Sequence, residues 1–268
     1  MSSILFINNL NYSINDKIIF NKLNLEIEKG SWTSIIAPNK SGKTLLTKII
    51  CAIIPTYDIC NLDSISLNKE NVLEYITKVG IASNDFNQSF LFKKVRDELI
   101  YPLKNLGYGR LKINKIIYKT SQFFKIDNLL NKDIDDLTIS EKSKLNIIIS
   151  LIHNPKLLVL DDAFNDMNSV DQTFMLEKLK ELNNQGLSIL NITSRLDTIY
   201  FSNKVLVMNN FKIEKIGNVD EIFNNDNYLR KIGLKIPFIV DLSLKLKFYN
   251  LIDKIYYNID SLEDNLWK

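Results

Sequence analysis

"IIAPNKSGKTLLTKII", residues Ile35 to Ile50, decides how the rest of the chain reads. It has the form of a phosphate-binding loop running into a helix. A β-branched run, "WTSIIA" (32–37), precedes it as a buried strand, and Leu45, Leu46, Ile49 and Ile50 recur at helical spacing until Pro55. The pattern G-x-x-x-x-G-K-[ST] requires glycine at position 37, where this chain has Ala37; Lys40 replaces a second loop glycine. Gly42, Lys43 and Thr44 are intact. Gly42 lets the backbone turn its amides toward phosphate at a helix start, Lys43 can reach terminal phosphates, and the Thr44 hydroxyl can ligate magnesium. Asn39, Lys40 and Ser41 complete the set that would surround the phosphates. Ala37 is expected to be costly if the turn there needs positive φ. Lys40 could narrow the phosphate cavity or point outward, and the sequence leaves both open.

Outward from the loop, the chain alternates between strands and helices. "SILFINNLNYSI" (3–14) and "KIIFNKLNLEIEKG" (17–30) read as strands, with a turn closed by Gly30. From about Ala82 to Asp136 the pattern is mostly helical, and a further helix, "SEKSKLNIIISLIH" (140–153), is expected to start with Ser140 as its cap and stop at Asn154-Pro155. "KLLVLDD" (156–162) and "LSILNIT" (187–193) are nearly all apolar, as parallel strands covered on both faces are. The helix "VDQTFMLEKLKELNNQG" separates them, and "NKVLVMNNFKIEKIG" reads as a hairpin around Asn209-Asn210. The alternation implies an α/β sheet domain. The character of the chain changes near Asn225, which sets expected domains at 1–225, with a helical subdomain at about 82–155, and 226–268.

Composition bounds the rest. The 268 residues are 46% hydrophobic and 24% charged, and the net charge of +3 is too small to argue for nucleic acid. Two cysteines, Cys51 and Cys60, argue against a disulfide framework and for a reduced cytosolic setting; neither has a partner at metal-ligand spacing. The N-terminus lacks the basic and apolar segments of a signal peptide, and no apolar run reaches the roughly 18 residues of a membrane span. His153, the single histidine, sits at a helix end where the dipole explains it.

The order "SGKT", "DDLTISEKSKLNII", "LLVLDD" resembles the ATP-binding subunits of ABC transporters, of P-loop NTPase core. The similarity covers nearly the whole chain and is closest to the ATPase subunits of energy-coupling factor importers, which include cobalt and vitamin systems. "GLKIPFIVDLSLKLK" is the most specific link to that branch. The resemblance implies an antiparallel N-terminal β subdomain, a helical subdomain and a small C-terminal helical extension that can help dimerisation. It implies ATP with Mg2+, held by Lys43, Thr44 and Asp161, the last through water. Asp162 takes the place of a glutamate that polarises the attacking water. Its shorter side chain sets the carboxylate about 1–1.5 Å back, and an error near 1 Å costs roughly a hundredfold. On residues alone, Asp161-Asp162 could equally be a carboxylate pair closing a strand.

Other family positions depart further. The signature Leu-Ser-Gly-Gly-Gln falls on Leu137, Thr138, Ile139, Ser140 and Glu141. Ile139 is poorly suited to a glycine conformation, and Glu141 brings negative charge toward phosphates. The coupling-loop glutamine falls at Asn84, with Gln88 four residues too late. The switch histidine falls at Ser194, the following-loop aspartate at Asn168 and the adenine-stacking aromatic at Ile14, Tyr12 being a strand side chain. Phosphoryl transfer depends on positioning and electrostatics, so these losses together predict an impaired ATPase. The expected assembly is a hetero-oligomer with a better-preserved ATPase and a transmembrane subunit, peripheral on the cytoplasmic face of the membrane, coupled through Asn84–Leu103. "FNQSFLF" there is either a contact surface or core. The alternative is a soluble regulatory or assembly protein with nucleotide as a structural ligand.

Overall fold

The alternating N-terminal segments form two long antiparallel strands, β1 (Ser3–Ile14) and β2 (Lys17–Glu28), in a computed structural model that describes residues 2–85 and 90–266. Leu5 faces Ile27, Ile7 faces Leu25, and Tyr12 faces Phe20, so one apolar face runs the length of the pair. Two short strands, β4 (Cys60–Leu62) and β5 (Ile65–Ser66), extend this sheet in the order β2-β1-β4-β5.

The second sheet has β3 (Trp32–Ile36) at its heart. β6 (Val79–Ser83), β7 (Leu157–Asp161), β8 (Ser188–Thr193), β9 (Lys204–Asn209) and β10 (Lys212–Gly217) complete the order β10-β9-β3-β8-β7-β6. Every pairing is parallel except β9 with β10. β3, β7 and β8 are buried along their whole length, in keeping with their largely apolar sequences. On one face the antiparallel sheet and helix α1 (Lys43–Ile50) share a core through Leu46, Ile49 and Ile50. After α2 (Val72–Thr77), the other face is covered by α3 (Val95–Asn105), α4 (Arg110–Phe124), α5 (Ile139–Leu151) and α6 (Ser169–Asn184). Gly80 lets α5 lie close on β6: a Cβ there would stand 2.1 Å from the Ser150 carbonyl oxygen.

Several boundaries move from their sequence positions. Ala82 and Ser83 close β6, so the helical segment begins later than 82. α5 is capped by Thr138, not Ser140, and its last residue is Leu151. α1 stops at Ile50, before Ala52 turns to φ 56°. The hairpin turn is Asn210-Phe211, one residue beyond the expected pair. Beyond α7 (Val219–Phe223), the helices α8 (Asp226–Lys231), α9 (Phe238–Phe248) and α10 (Ile259–Leu266) form the C-terminal part. Leu229, Leu234 and Val240 from it pack with Val205 and Val207 of β9. Phe238, Phe248 and Tyr249 remain exposed. Among the described residues no helix is long and apolar enough to cross a membrane.

Candidate functional site

The carboxyl ends of β3, β8, β7 and β6 lie side by side and bring Ala37, Ser194, Asp161-Asp162 and Asn84 to one edge. Ala37 continues β3: it is buried, its N–H donates to Thr193 O at 3.1 Å, and it does not take positive φ. The strain expected at Ala37 therefore falls instead on Lys40, at φ 64°, a conformation that costs a side chain about 1–2 kcal/mol. Lys40 and Asn39 are both exposed. Gly42 caps α1 at φ 95°. Lys43 is only 6% exposed; its Nζ donates to Ala37 O at 2.9 Å and Pro38 O at 3.1 Å and stands 3.7 Å from Asp162 Oδ2.

Asp161 is 4% exposed and its Oδ1 has no partner. Burial pushes its pKa up to about 6, against the opposing pull of a hydrogen bond from Thr44 and with a further push from the Asp162 charge. Ser41 Oγ and Asn84 Oδ1 are also buried without partners. Three of the six such side-chain atoms among the described residues thus lie at this edge. Buried polar atoms are normally paired, so the unpaired oxygen of Asp161, whose carboxylate the Thr44 hydroxyl reaches, suits a hard cation such as magnesium. Asn84 is joined to Asp161 through its own N–H on the Asp161 carbonyl, at 3.0 Å.

Asp162 is differently placed. At φ 51°, its Oδ1 accepts from Ser194 N at 2.8 Å, Ser194 Oγ at 3.1 Å and Thr193 Oγ1 at 3.3 Å. Asp162 and Ser194 are held against each other.

The signature segment stands apart: no hydrogen bond or ion pair among the described residues links Leu137–Glu141 to the loop. Ile139 is the first residue of α5 and takes no positive φ, so the conflict with a glycine conformation does not arise. Glu141 turns back to accept the Thr138 N–H at 2.8 Å, while Thr138 Oγ1 accepts the Glu141 N–H at 3.2 Å. Its carboxylate serves a capping box and faces Lys132 at 3.9 Å. Ser140 is buried and donates to Asp171 Oδ2 at 2.6 Å, and Asn168, which caps α6, donates to both. Asp171 was not singled out from sequence; the T-x-x-E spacing of Thr138 and Glu141 was a legible signal.

The remaining positions scatter. Ile14 is exposed at the end of β1 and Tyr12 packs opposite Phe20 in the strand. Gln88 and Phe86 lie outside the described residues. Glu98 accepts the N–H groups of Leu91 and Phe92, and burial raises its pKa. Leu91, Phe92 and Tyr101 are exposed, with the Phe92 and Tyr101 rings 5.3 Å apart. His153 lies two residues past α5, its Nε2 3.1 Å from Val79 O; burial lowers its pKa, the opposite of what a helix dipole would do. Both cysteines are buried and free, and burial raises both thiols, Cys60 to about 11.

With this geometry in place, the comparisons are specific. The profile of the family described as ABC transporter matches residues 20–165. The energy-coupling factor transporter ATP-binding protein EcfA of Pediococcus pentosaceus is 28% identical over 89% of this chain and 87% of its own length. The corresponding protein EcfA1 of Mycoplasma pneumoniae is 27% identical over 96% and 94%. In fold, the chain matches cbiO1 from Clostridium perfringens, part of the ABC transporter complex cbiONQ, with a TM-score of 0.76 at 22% identity, over 88% of this chain and 97% of that one.

Proposed function

The chain belongs to the ABC transporter family, and on that premise we propose that it is the ATP-binding subunit of an energy-coupling factor type importer. It pairs with a second, better-preserved ATPase and a transmembrane subunit at the cytoplasmic face of the membrane, and helps drive uptake of a micronutrient. Similarity to energy-coupling factor ATP-binding proteins over nearly the full chain supports this assignment.

One observation carries the division between binding and hydrolysis: Asp161 keeps an unpaired Oδ1, while Asp162 Oδ1 is taken by Ser194 and Thr193 and its Oδ2 faces Lys43. Lys43 would exchange two neutral carbonyl partners for charged phosphate oxygens, a stronger class of hydrogen bond. The amides from Gly42 onward, at the start of α1, add the positive end of a helix dipole. Thr44 and, through water, Asp161 would hold magnesium, with Asn84 beside them. Bound magnesium neutralises charge that develops on the transferred phosphoryl group. Asp162 is held by Ser194 and Thr193 through Oδ1 and faces Lys43 through Oδ2, so it is poorly placed to turn toward a water, and Ser194 offers no imidazole; hydrolysis is slow.

The composite site formed by this chain's loop and the partner's intact signature retains nucleotide; the other, facing Leu137–Glu141, is the poorer one. Coupling to the transmembrane subunit runs through Asn84–Leu103, where Leu91, Phe92 and Tyr101 are exposed. The exposed aromatics of the segment from Asp226 onward support a role in joining the two ATPases. The test is Mg-ATP binding and turnover, alone and with the partner ATPase and transmembrane subunit. Binding lost in K43A with little turnover by the chain alone is expected. Vigorous turnover alone, abolished by K43A, would overturn the slow-hydrolysis assignment, and a homodimer with no affinity for a transmembrane subunit would overturn the transport role.

A further inference from the structure

The turn between β9 and β10 carries an aromatic residue where backbone geometry favours glycine. Lys212 pairs with Asn209, and both residues between them have positive φ, Asn210 at 46° and Phe211 at 64°. This is the two-residue hairpin turn with left-handed conformation at both central positions, for which Asn-Gly is the preferred pair. Asn210 fits it. A bulky side chain at the next position is an outlier, and such outliers persist only where the surroundings over-determine them.

Here the surroundings are the phosphate loop. Gly42 is itself left-handed, and a Cβ placed on it would lie 2.8 Å from Phe211 Cδ1 and 3.3 Å from Phe20 Cζ. The two rings meet edge to face, with centroids 6.4 Å apart and planes at 82°. Phe20 is fully buried in β2 and cannot yield. The Phe211 ring is thus wedged between a fixed aromatic and the glycine whose amide opens α1.

We propose that Phe211 is a positioning residue for the phosphate loop: it backs Gly42 and keeps the amides from Gly42 to Thr44 aimed for phosphate without touching nucleotide itself. The strained turn is what holds the ring in place. This rests on the reading of the loop as a nucleotide site, and the experiment separates the two.

In F211G the ring is lost and the turn strain is relieved together, so the two effects on stability oppose each other and the fold should survive. F211L keeps an apolar wedge. Amide hydrogen exchange over Asn39–Thr44 and Mg-ADP affinity are measured for both variants, with K43A as the binding control. In F211G, loop exchange should quicken and affinity fall, each about tenfold, the scale of ordering one or two residues on binding. The melting temperature should stay near that of the parent chain, and F211L should restore most of both properties. Parent-like exchange and affinity in F211G, with binding still lost in K43A, would overturn the wedge and leave the nucleotide reading standing. So would a fall in both variants that merely follows melting temperature. If the parent chain binds no Mg-ADP, alone or with its partner ATPase, the nucleotide reading fails; loop exchange still decides the wedge, faster in F211G supporting it and unchanged exchange overturning it.

Discussion

Two regions that the family resemblance treats as halves of one machine, the loop edge and the start of α5, differ in how they use their hydrogen-bonding groups. At the loop edge, Ser41, Asn84 and Asp161 each keep a buried oxygen without a partner. At the start of α5, Thr138 and Glu141 satisfy each other, and Ser140 is shared by Asp171 and Asn168. A region that has spent its polar groups on its own fold gains stability from them. One that has not carries a cost that a ligand can repay. The difference explains how the signature can lose its glycines without strain: its residues now serve as an ordinary helix cap.

Opposite signs in two variants would test this comparison most directly. D161N should lower Mg-nucleotide affinity about a hundredfold, because it removes a full charge from the cation site, yet it should raise the melting temperature of the nucleotide-free chain. Burial has pushed the Asp161 pKa up to about 6, so ionising it at neutral pH costs the fold about 3 kcal/mol, which the neutral amide avoids. Calorimetric titration and thermal melting read the two halves. A lower melting temperature in D161N would place Asp161 among the structural groups and break the contrast.

S140A should do the reverse. It strips a buried hydroxyl from Asp171 and Asn168, costing about 1–3 kcal/mol, while leaving Mg-nucleotide affinity of the isolated chain unchanged. A loss of affinity in S140A without loss of stability would show that the α5 start reaches this chain's own loop.

Much of the fold was legible because its signals are local. The buried strands, the glycine-lysine-threonine step into α1 and the apolar strand ending in two aspartates all follow from residue type and spacing. The site was less so, because its decisive relations join residues far apart in sequence. Nothing near position 162 announces that Asp162 would be held by Ser194, thirty-two residues away. Nothing near Gly42 points to Phe211. Even the loop misled on one count, since counting missing glycines does not say which position needs positive φ. The structure assigns that need to Lys40 and not to Ala37.

K40G tests that assignment with a smaller effect. Glycine relieves the left-handed strain at a modest entropic cost to the unfolded chain, so the net gain should be about 0.5–1 kcal/mol. For a chain of this length that is a rise of roughly 2 °C. Because the Lys40 side chain is exposed, affinity for Mg-nucleotide should fall at most a few-fold, as expected for a solvent-screened charge. A37G, where no strain exists to relieve, should lower stability. If A37G stabilised and K40G did not, the loop would have the conformation expected from the family pattern and not the one described.

The smallest effect concerns His153, a group whose only named bond goes to the fold. Burial lowers its pKa below the unfolded value near 6.5. As pH falls, the unfolded chain therefore takes up the proton first, so stability is fully present above about 6.5 and is lost as pH drops through the lower folded value. The loss per pH unit is bounded by about 1.4 kcal/mol for one proton, and partial exposure keeps the real figure well below that. H153Q should flatten this part of the melting profile between pH 7.5 and 5.5. The flattening should be the same with and without saturating Mg-ADP, because His153 belongs with the spent groups on the Val79 side of α5 and not with the loop edge. A pH response of H153Q that appeared only with nucleotide bound would move His153 into the site and erase the line between the two regions.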